Sequence, residues 1–315
     1  MLLQSWLRTA VCSSLCFVAG FCCMVAVARA AEPIPGIGPA GDVELVKGNF
    51  QFLEGPTRTP DGSLYFTDIP AETINVLSTS GTIEVFLKPS GRANGLMYAG
   101  QGKLLSCQME GQLVSIDLKS KEIQVLADKY QDKRFNACND LVIDKQGGIY
   151  FTDPRFSAPN PWPQGTEAFY YRAPDGKVTR LGDDMAAPNG IILSPDERTL
   201  YVIPSMQRQM FAYPVQEPGK LGERKLFCEL KQPANSDNSG GDGLTVDASG
   251  NVYITSALGV QVYSPAGKLL GIIACPEQPA NVTFGGTDSK TLYMTARKGL
   301  YRCQMEITGH QFRTK

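Results

Sequence analysis

Residues Glu54–Asp68 read EGPTRTPDGSLYFTD: a polar residue, an apolar stretch, a turn built from Asp and Gly, and a second apolar stretch closing on Thr. The same grammar returns five more times. The copies are NGLMYAGQGKLLSC from Asn94, NDLVIDKQGGIYFTD from Asn139, NGIILSPDERTLYVIPS from Asn189, DGLTVDASGNVYITS from Asp242 and NVTFGGTDSKTLYMTA from Asn281. From each head residue to the marker of its second stretch (Tyr65, Leu105, Tyr150, Tyr201, Tyr253, Tyr293) the offsets are 11, 11, 11, 12, 11 and 12. Val, Ile, Tyr and Thr dominate these runs, Gly, Pro, Asp and Asn bound them, and no amphipathic helix of three turns interrupts them, which predicts an all-β chain. Marker-to-marker spacings of 40, 45, 51, 52 and 40 fit four short strands per unit. Six such units predict a six-bladed β-propeller. The segment Asp42–Gln51 precedes the first head and has no unit of its own; it is expected to pair with Leu300–Ile307, closing the ring and covering two edges.

In a propeller the first strand of each blade lines the central channel, so six heads at the starts of six inner strands converge on one end of it. They are Glu54, Asn94, Asn139, Asn189, Asp242 and Asn281, and every one carries a side-chain oxygen acceptor. Asn-Gly and Asp-Gly are also hairpin signals, so Asn94-Gly95, Asn189-Gly190 and Asp242-Gly243 have a plain reading as turns. Two features oppose it: each pair precedes an inner strand whose own turn lies further on, and Glu54 is no turn former. Two carboxylates crowded among four amides repel one another unless a cation sits between them. Such hard oxygen donors suit Ca²⁺ first and Mg²⁺ or Mn²⁺ next, with Zn²⁺ a poorer match.

The chain has 315 residues, 30 Lys+Arg, 31 Asp+Glu and a single histidine, His310. One histidine near the C-terminus leaves nothing for a Ser-His-Asp or Cys-His pair or for a His-rich zinc site. The near-balanced, scattered charge argues against a nucleic-acid partner. Arg8, the uncharged run Thr9–Ala28 and the small-x-small pattern Ala28-Arg29-Ala30 read as a secretory signal over 1–30, followed by one propeller domain over 31–315. The run is long for a signal, and an uncleaved anchor is the alternative. Export to the periplasm or medium is expected, as a monomer without membrane contact once the signal is cleaved. Loss of Arg8 and Arg29 leaves 28 basic against 31 acidic residues, a net charge of −3. Cys107, Cys138, Cys228, Cys275 and Cys303 remain. Their odd number and lack of CxxC spacing leave buried thiols or one or two disulfides open.

The runs FLEGPTRTPDGSLYFTD, NDLVIDKQGGIYFTDP, APNGIILSPDERTLYV, GDGLTVDASGNVYIT and NVTFGGTDSKTLYMT resemble, in order, the senescence-marker-protein, gluconolactonase and luciferin-regenerating-enzyme family. The resemblance implies a six-bladed propeller holding one divalent cation at one end of the channel. It also implies a metal-dependent hydrolase, foremost a lactonase opening sugar lactones, with a phosphotriesterase of the diisopropyl fluorophosphatase type or a non-catalytic, metal-stabilised sugar binder as alternatives. Carried over by motif, Glu54, Asn189 and Asp242 would be ligands, and Asn139 would ligate or orient substrate. Asn94 and Asn281, channel-facing by register, would support them or meet the substrate. Many bacterial relatives have a histidine soon after the second blade's second strand, where this chain has Gln108, which is expected to contact the substrate in its place. With no imidazole nearby, Asp242 is the expected base or nucleophile. The Pro- and aromatic-rich loop Asp153–Pro163 is expected to wall the pocket, with Arg155 facing either a polar or anionic substrate or solvent, and Ala234–Gly241 to form a mobile approach to Asp242.

Overall fold

A computed structural model of the protein describes residues 33–312; the expected signal at 1–30 lies outside the described residues. Six antiparallel sheets of four or five strands form the blades, and a two-stranded hairpin, Lys129–Tyr130 with Lys133–Arg134, lies between the second and third. Blade I comprises Leu53–Arg58, Leu64–Asp68, Thr73–Leu77 and Ile83–Leu87. Blade II comprises Ala93–Gly100, Lys103–Gln108, Gln112–Asp117 and Ile123–Ala127. Blade III is Leu141–Ile143, Ile149–Asp153, Ala168–Arg172 and Val178–Gly182. Blade IV is Pro188–Leu193, Thr199–Pro204, Gln209–Glu217 and Lys225–Glu229, with the short strand Lys220–Leu221 added to its third. Blade V is Leu244–Val246, Val252–Ser256, Gly259–Tyr263 and Leu269–Ile273. No helix occurs among the described residues.

Blade VI closes the ring as the sequence predicts. Its strands Asn281–Gly285, Thr291–Ala296 and Gly299–Gln304 come from the C-terminal part of the chain, and the fourth, Glu44–Lys47, from the N-terminal part. Glu44 faces Arg302, Leu45 faces Tyr301 and Lys47 faces Leu300. An exposed ion pair from Arg302 Nη2 to Glu44 Oε2 at 3.2 Å adds little; the gain is the removal of two open edges.

The inner strands touch in sequence around the ring. Apolar side chains fill the space between blades rather than the channel: one cluster joins Tyr150 and Phe169 of blade III to Ile191 and Tyr201 of blade IV and Val246 and Ile254 of blade V. The turn from inner to second strand uses aspartate to hold its own backbone. Asp144 accepts from Gln146 N and Gly148 N, and Asp247 from Ser249 N and Asn251 N. These turns define the foot of the channel. The chain's tail crosses beneath it: Gly309 N donates to Ser289 O at 2.8 Å and His310 N to Val246 O at 3.0 Å. All five described cysteines are free thiols, which decides between the alternatives the sequence left open.

Candidate active site at the channel mouth

Each head is fixed by its neighbour blade. Thr67, at the end of blade I's second strand, donates through Oγ1 to Asn94 O at 3.0 Å, and Thr152 of blade III does the same to Asn189 O at 2.7 Å. The recurring Thr of the repeat is therefore a lock on the next head. The glycines after the heads do similar work and are not hairpin turns. Gly95 N donates to Asn139 O at 2.8 Å and Gly190 N to Asp242 O at 2.9 Å. A Cβ at Gly190 would lie 2.5 Å from the Asp242 carbonyl oxygen, so only glycine lets the inner strands approach this closely.

Among the side chains, two head pairs meet directly. Asn189 Nδ2 donates to Asp242 Oδ1 at 2.6 Å and to Ser205 Oγ at 2.8 Å. Asn281 Nδ2 donates to Glu54 Oε2 at 3.1 Å, and Gly55 N donates to the same oxygen at 3.0 Å. Asn94 and Asn139 are buried in the same ring and joined to it through their carbonyls. Asp242 is half-buried and the most open of the six.

Blade III brings a third carboxylate that the repeat reading passed over. Asp140 follows head Asn139 at the position where blades I, II, IV and V have glycine, and its side chain enters the channel just below the heads. Its Oδ1 accepts from Leu141 N at 2.9 Å. The signal was present in the Asn-Asp doublet, an acid in a glycine slot. Below it a cavity of about 70 Å³ runs down the channel past Thr57, Thr245 and Thr283 to His310 at the foot.

The three acids titrate high for stated reasons. Burial lifts Asp140 to about 7, against the pull of the Leu141 and Ile191 N–H groups and with a further push from Asp242. Burial lifts Asp242 to about 6, with Arg297 and the Asn189 amide drawing it down. Burial, then the charges of Asp242 and, to a smaller extent, Asp140, holds Glu54 well above the usual carboxylate range. Arg297, which the sequence reading did not single out, is the cation acting on this group. Its carbonyl accepts from Leu53 N at 2.8 Å, one residue before Glu54.

Two expected substrate residues have their polar groups engaged by the protein itself. Gln108 is buried at the end of blade II's second strand and donates through Nε2 to Ser90 O at 2.9 Å, fixing the loop that leads to Asn94. Asp68 and Asp153 occupy the corresponding ends in blades I and III and hold the matching loops, through Phe52 N and Ala137 N. Arg155 stands on the rim, its guanidinium 5.2 Å above the Trp162 ring and 3.7 Å from Glu167 Oε1. Buried Glu167 in turn accepts from Ala187 N, two residues before Asn189. The loop carrying Arg155 leans across the mouth: Ser157 Oγ accepts from Arg92 Nη2 at 3.1 Å, and Phe156 and Ala158 pack on Ile69, Met109 and Ala137. The approach to Asp242 is tied down by Gln232, whose Oε1 accepts from Ser239 N at 2.7 Å.

No three His, Cys, Asp or Glu side chains form a metal-holding group among the described residues. The mouth instead mixes Glu54 and Asp242 with amide oxygens, and that donor set fits a hard cation while giving a soft one no sulfur or imidazole. Excess negative charge in a desolvated ring points the same way.

A closed ring of six four-stranded blades with its polar heads gathered at one mouth is the six-bladed β-propeller class. Within that class the chain belongs to the SMP-30/gluconolactonase/LRE-like family, whose model matches residues 52–298. It is 28% identical to a gluconolactonase of Zymomonas mobilis, over 85% of this chain and 82% of the relative. It is also 28% identical to the pentonolactonase XacC of Haloferax volcanii, over 78% and 81%. The solved structure of XC5397 from Xanthomonas campestris, described as a gluconolactonase, superposes with a TM-score of 0.76 at 27% identity, covering 84% of this chain and 89% of that one.

Proposed function

We propose that the protein opens lactones, foremost sugar lactones, by hydrolysis dependent on a divalent cation at the channel mouth. The observation that carries this reading is the convergence of Glu54 and Asp242 with Asn189 and Asn281 in one desolvated ring whose acids are pushed toward protonation. Lactonase relatives spanning most of the chain support it.

Glu54, Asn139, Asn189 and Asp242 would hold the cation, with Ca²⁺ the best match to all-oxygen donors. When bound, it supplies the positive charge that polarises the lactone carbonyl and offsets the developing oxyanion. Asp242 takes the proton of the attacking water as its oxygen bonds to the carbonyl carbon. On collapse the ring C–O bond breaks, and Asp242 returns that proton to the departing alkoxide. Asn189 holds Oδ1 of Asp242 in place for both transfers. Asn281 and the Gly55 N–H hold Glu54, whose charge balances the cation. Asp140, below the ring, adds negative charge that makes an empty mouth unfavourable. The small substrate approaches from outside an exported, monomeric protein.

The test is a panel of aldonolactones, with a fluorophosphate as comparator, assayed by acid release at fixed pH with each divalent metal in turn. Lactone opening strongest with Ca²⁺ supports the reading. Turnover of the fluorophosphate alone would transfer the site to phosphotriesters, and metal-dependent stability without any turnover would make it a binding site.

A further inference from the structure

Three arginines stand on the rim, and two of them are engaged. Arg92 donates to Ser157 Oγ, and Arg155 pairs with Glu167. Arg297 differs. Its guanidinium lies 5.2 Å over the Phe52 ring, and among the described residues it makes neither an ion pair nor a side-chain hydrogen bond. It does not reach Asp242 as an ion pair, although its field acts on that carboxylate.

The backbone holds Arg297 in place at some cost. Its φ is 52°, a left-handed conformation that favours glycine, and its carbonyl is fixed by Leu53 N. Phe52 belongs to an apolar cluster with Ile69, Met109 and Phe156, so the guanidinium is held against an aromatic ring that takes none of its hydrogen bonds. A half-buried arginine held over an aromatic ring, with donors uncommitted among the described residues, suits a planar or tetrahedral oxyanion. Its carbonyl is bonded next to Glu54 and its field acts on Asp242, which sets the residue at the edge of the acid-bearing ring.

We infer that Arg297 is a specificity-determining residue that selects lactones bearing a second, anionic group, a carboxylate, sulfonate or phosphate, over neutral ones. This rests on the lactonase reading and narrows it. The apolar cluster of Phe52, Ile69, Met109 and Phe156 beside it lowers the local dielectric and would strengthen such a contact.

The test compares kcat/KM for two lactones differing only at the terminal carbon, one carrying CH₂OH and one CH₂OPO₃²⁻, for the wild type, Arg297→Lys and Arg297→Gln. The wild type should prefer the phosphorylated lactone. Arg297→Gln should erase that preference: its loss on the anionic lactone, mainly in KM, should exceed its loss on the neutral one by about 10- to 100-fold. Arg297→Lys should restore part of it. Equal losses on both lactones, or no loss on either, overturn the inference, because a residue that only props up Glu54 or Asp242 treats the two alike. Should the wild type open neither lactone, the lactonase reading fails by itself. Calorimetric binding of 6-phosphogluconate then decides: tighter binding to wild type than to Arg297→Gln upholds the anion site, and equal binding overturns it.

Discussion

At the foot of blade V, fully buried Asp247 accepts hydrogen bonds from Ser249 N, Asn251 N, Asn251 Nδ2 and the Tyr253 hydroxyl. At the mouth, five residues earlier and at the other end of the strand Leu244–Val246, Asp242 receives one short bond from Asn189 and is lifted to about 6. The same short segment thus holds two carboxylates in opposite ways. One has its charge met by donors that the fold itself supplies, as Asp144 does in blade III with two N–H groups and Tyr171 OH. The other, with Glu54 and Asp140 around it, carries charge the fold leaves largely unmet. A carboxylate kept in that condition is suited to binding and proton transfer, and one in the first condition to holding a turn.

The largest effect expected from breaking this contrast is at the mouth. Asp242→Asn keeps an oxygen for the Asn189 amide but cannot take a proton, so lactone opening should fall by about a thousandfold or more while the melting temperature stays within a few degrees of wild type. Asp247→Ala should do the reverse. It strands the Tyr253 hydroxyl and the Asn251 amide in the interior, costing about 3 kcal/mol and lowering the melting temperature by roughly 6–12 °C, with activity per folded molecule retained. Ending the chain at Ile307 removes the strap beneath the channel. It should cost about 2 kcal/mol in thermal unfolding, because the N–H of Ala248 and the carbonyls of Ser289 and Val246 lose their partners.

The smallest effect sharpens the comparison through pH. The mouth acids have folded values near 6 and 7 against about 4 when unfolded, so between those values the folded chain binds more protons. Their contribution is full below about pH 4 and is lost as pH rises through about 7. Chelated protein should therefore melt at progressively lower temperature from pH 4 to 7, and added Ca²⁺ should flatten the slope. A melting temperature that rises over that range after chelation would contradict the assignment.

The ring was legible because a propeller repeats its physics. The near-constant interval from Glu54 to Tyr65, renewed to Tyr293, encodes six inner and second strands, and the leftover Glu44–Lys47 has one place to pair. The heads were legible because their oxygen chemistry survives in every copy. What escaped were contacts made between copies. The repeat pattern treats Asp140 as an ordinary second residue, whereas the channel makes it a third acid. Gln108 looked like a substrate residue by position, yet its side chain turns to Ser90 O because the end of each second strand carries the tether for the next loop in. Arg297 lies just past blade VI's second strand, and only the closed ring brings it to the strand bearing Glu54, far off in sequence.

The most direct measurement follows acid release from a sugar lactone at fixed pH for wild type and Asp242→Asn, before chelation, after it, and after Ca²⁺ is returned. The account predicts that wild-type turnover disappears on chelation and comes back with Ca²⁺, and that Asp242→Asn is inactive throughout. Wild-type turnover indifferent to the chelator, together with an active Asp242→Asn, would contradict it.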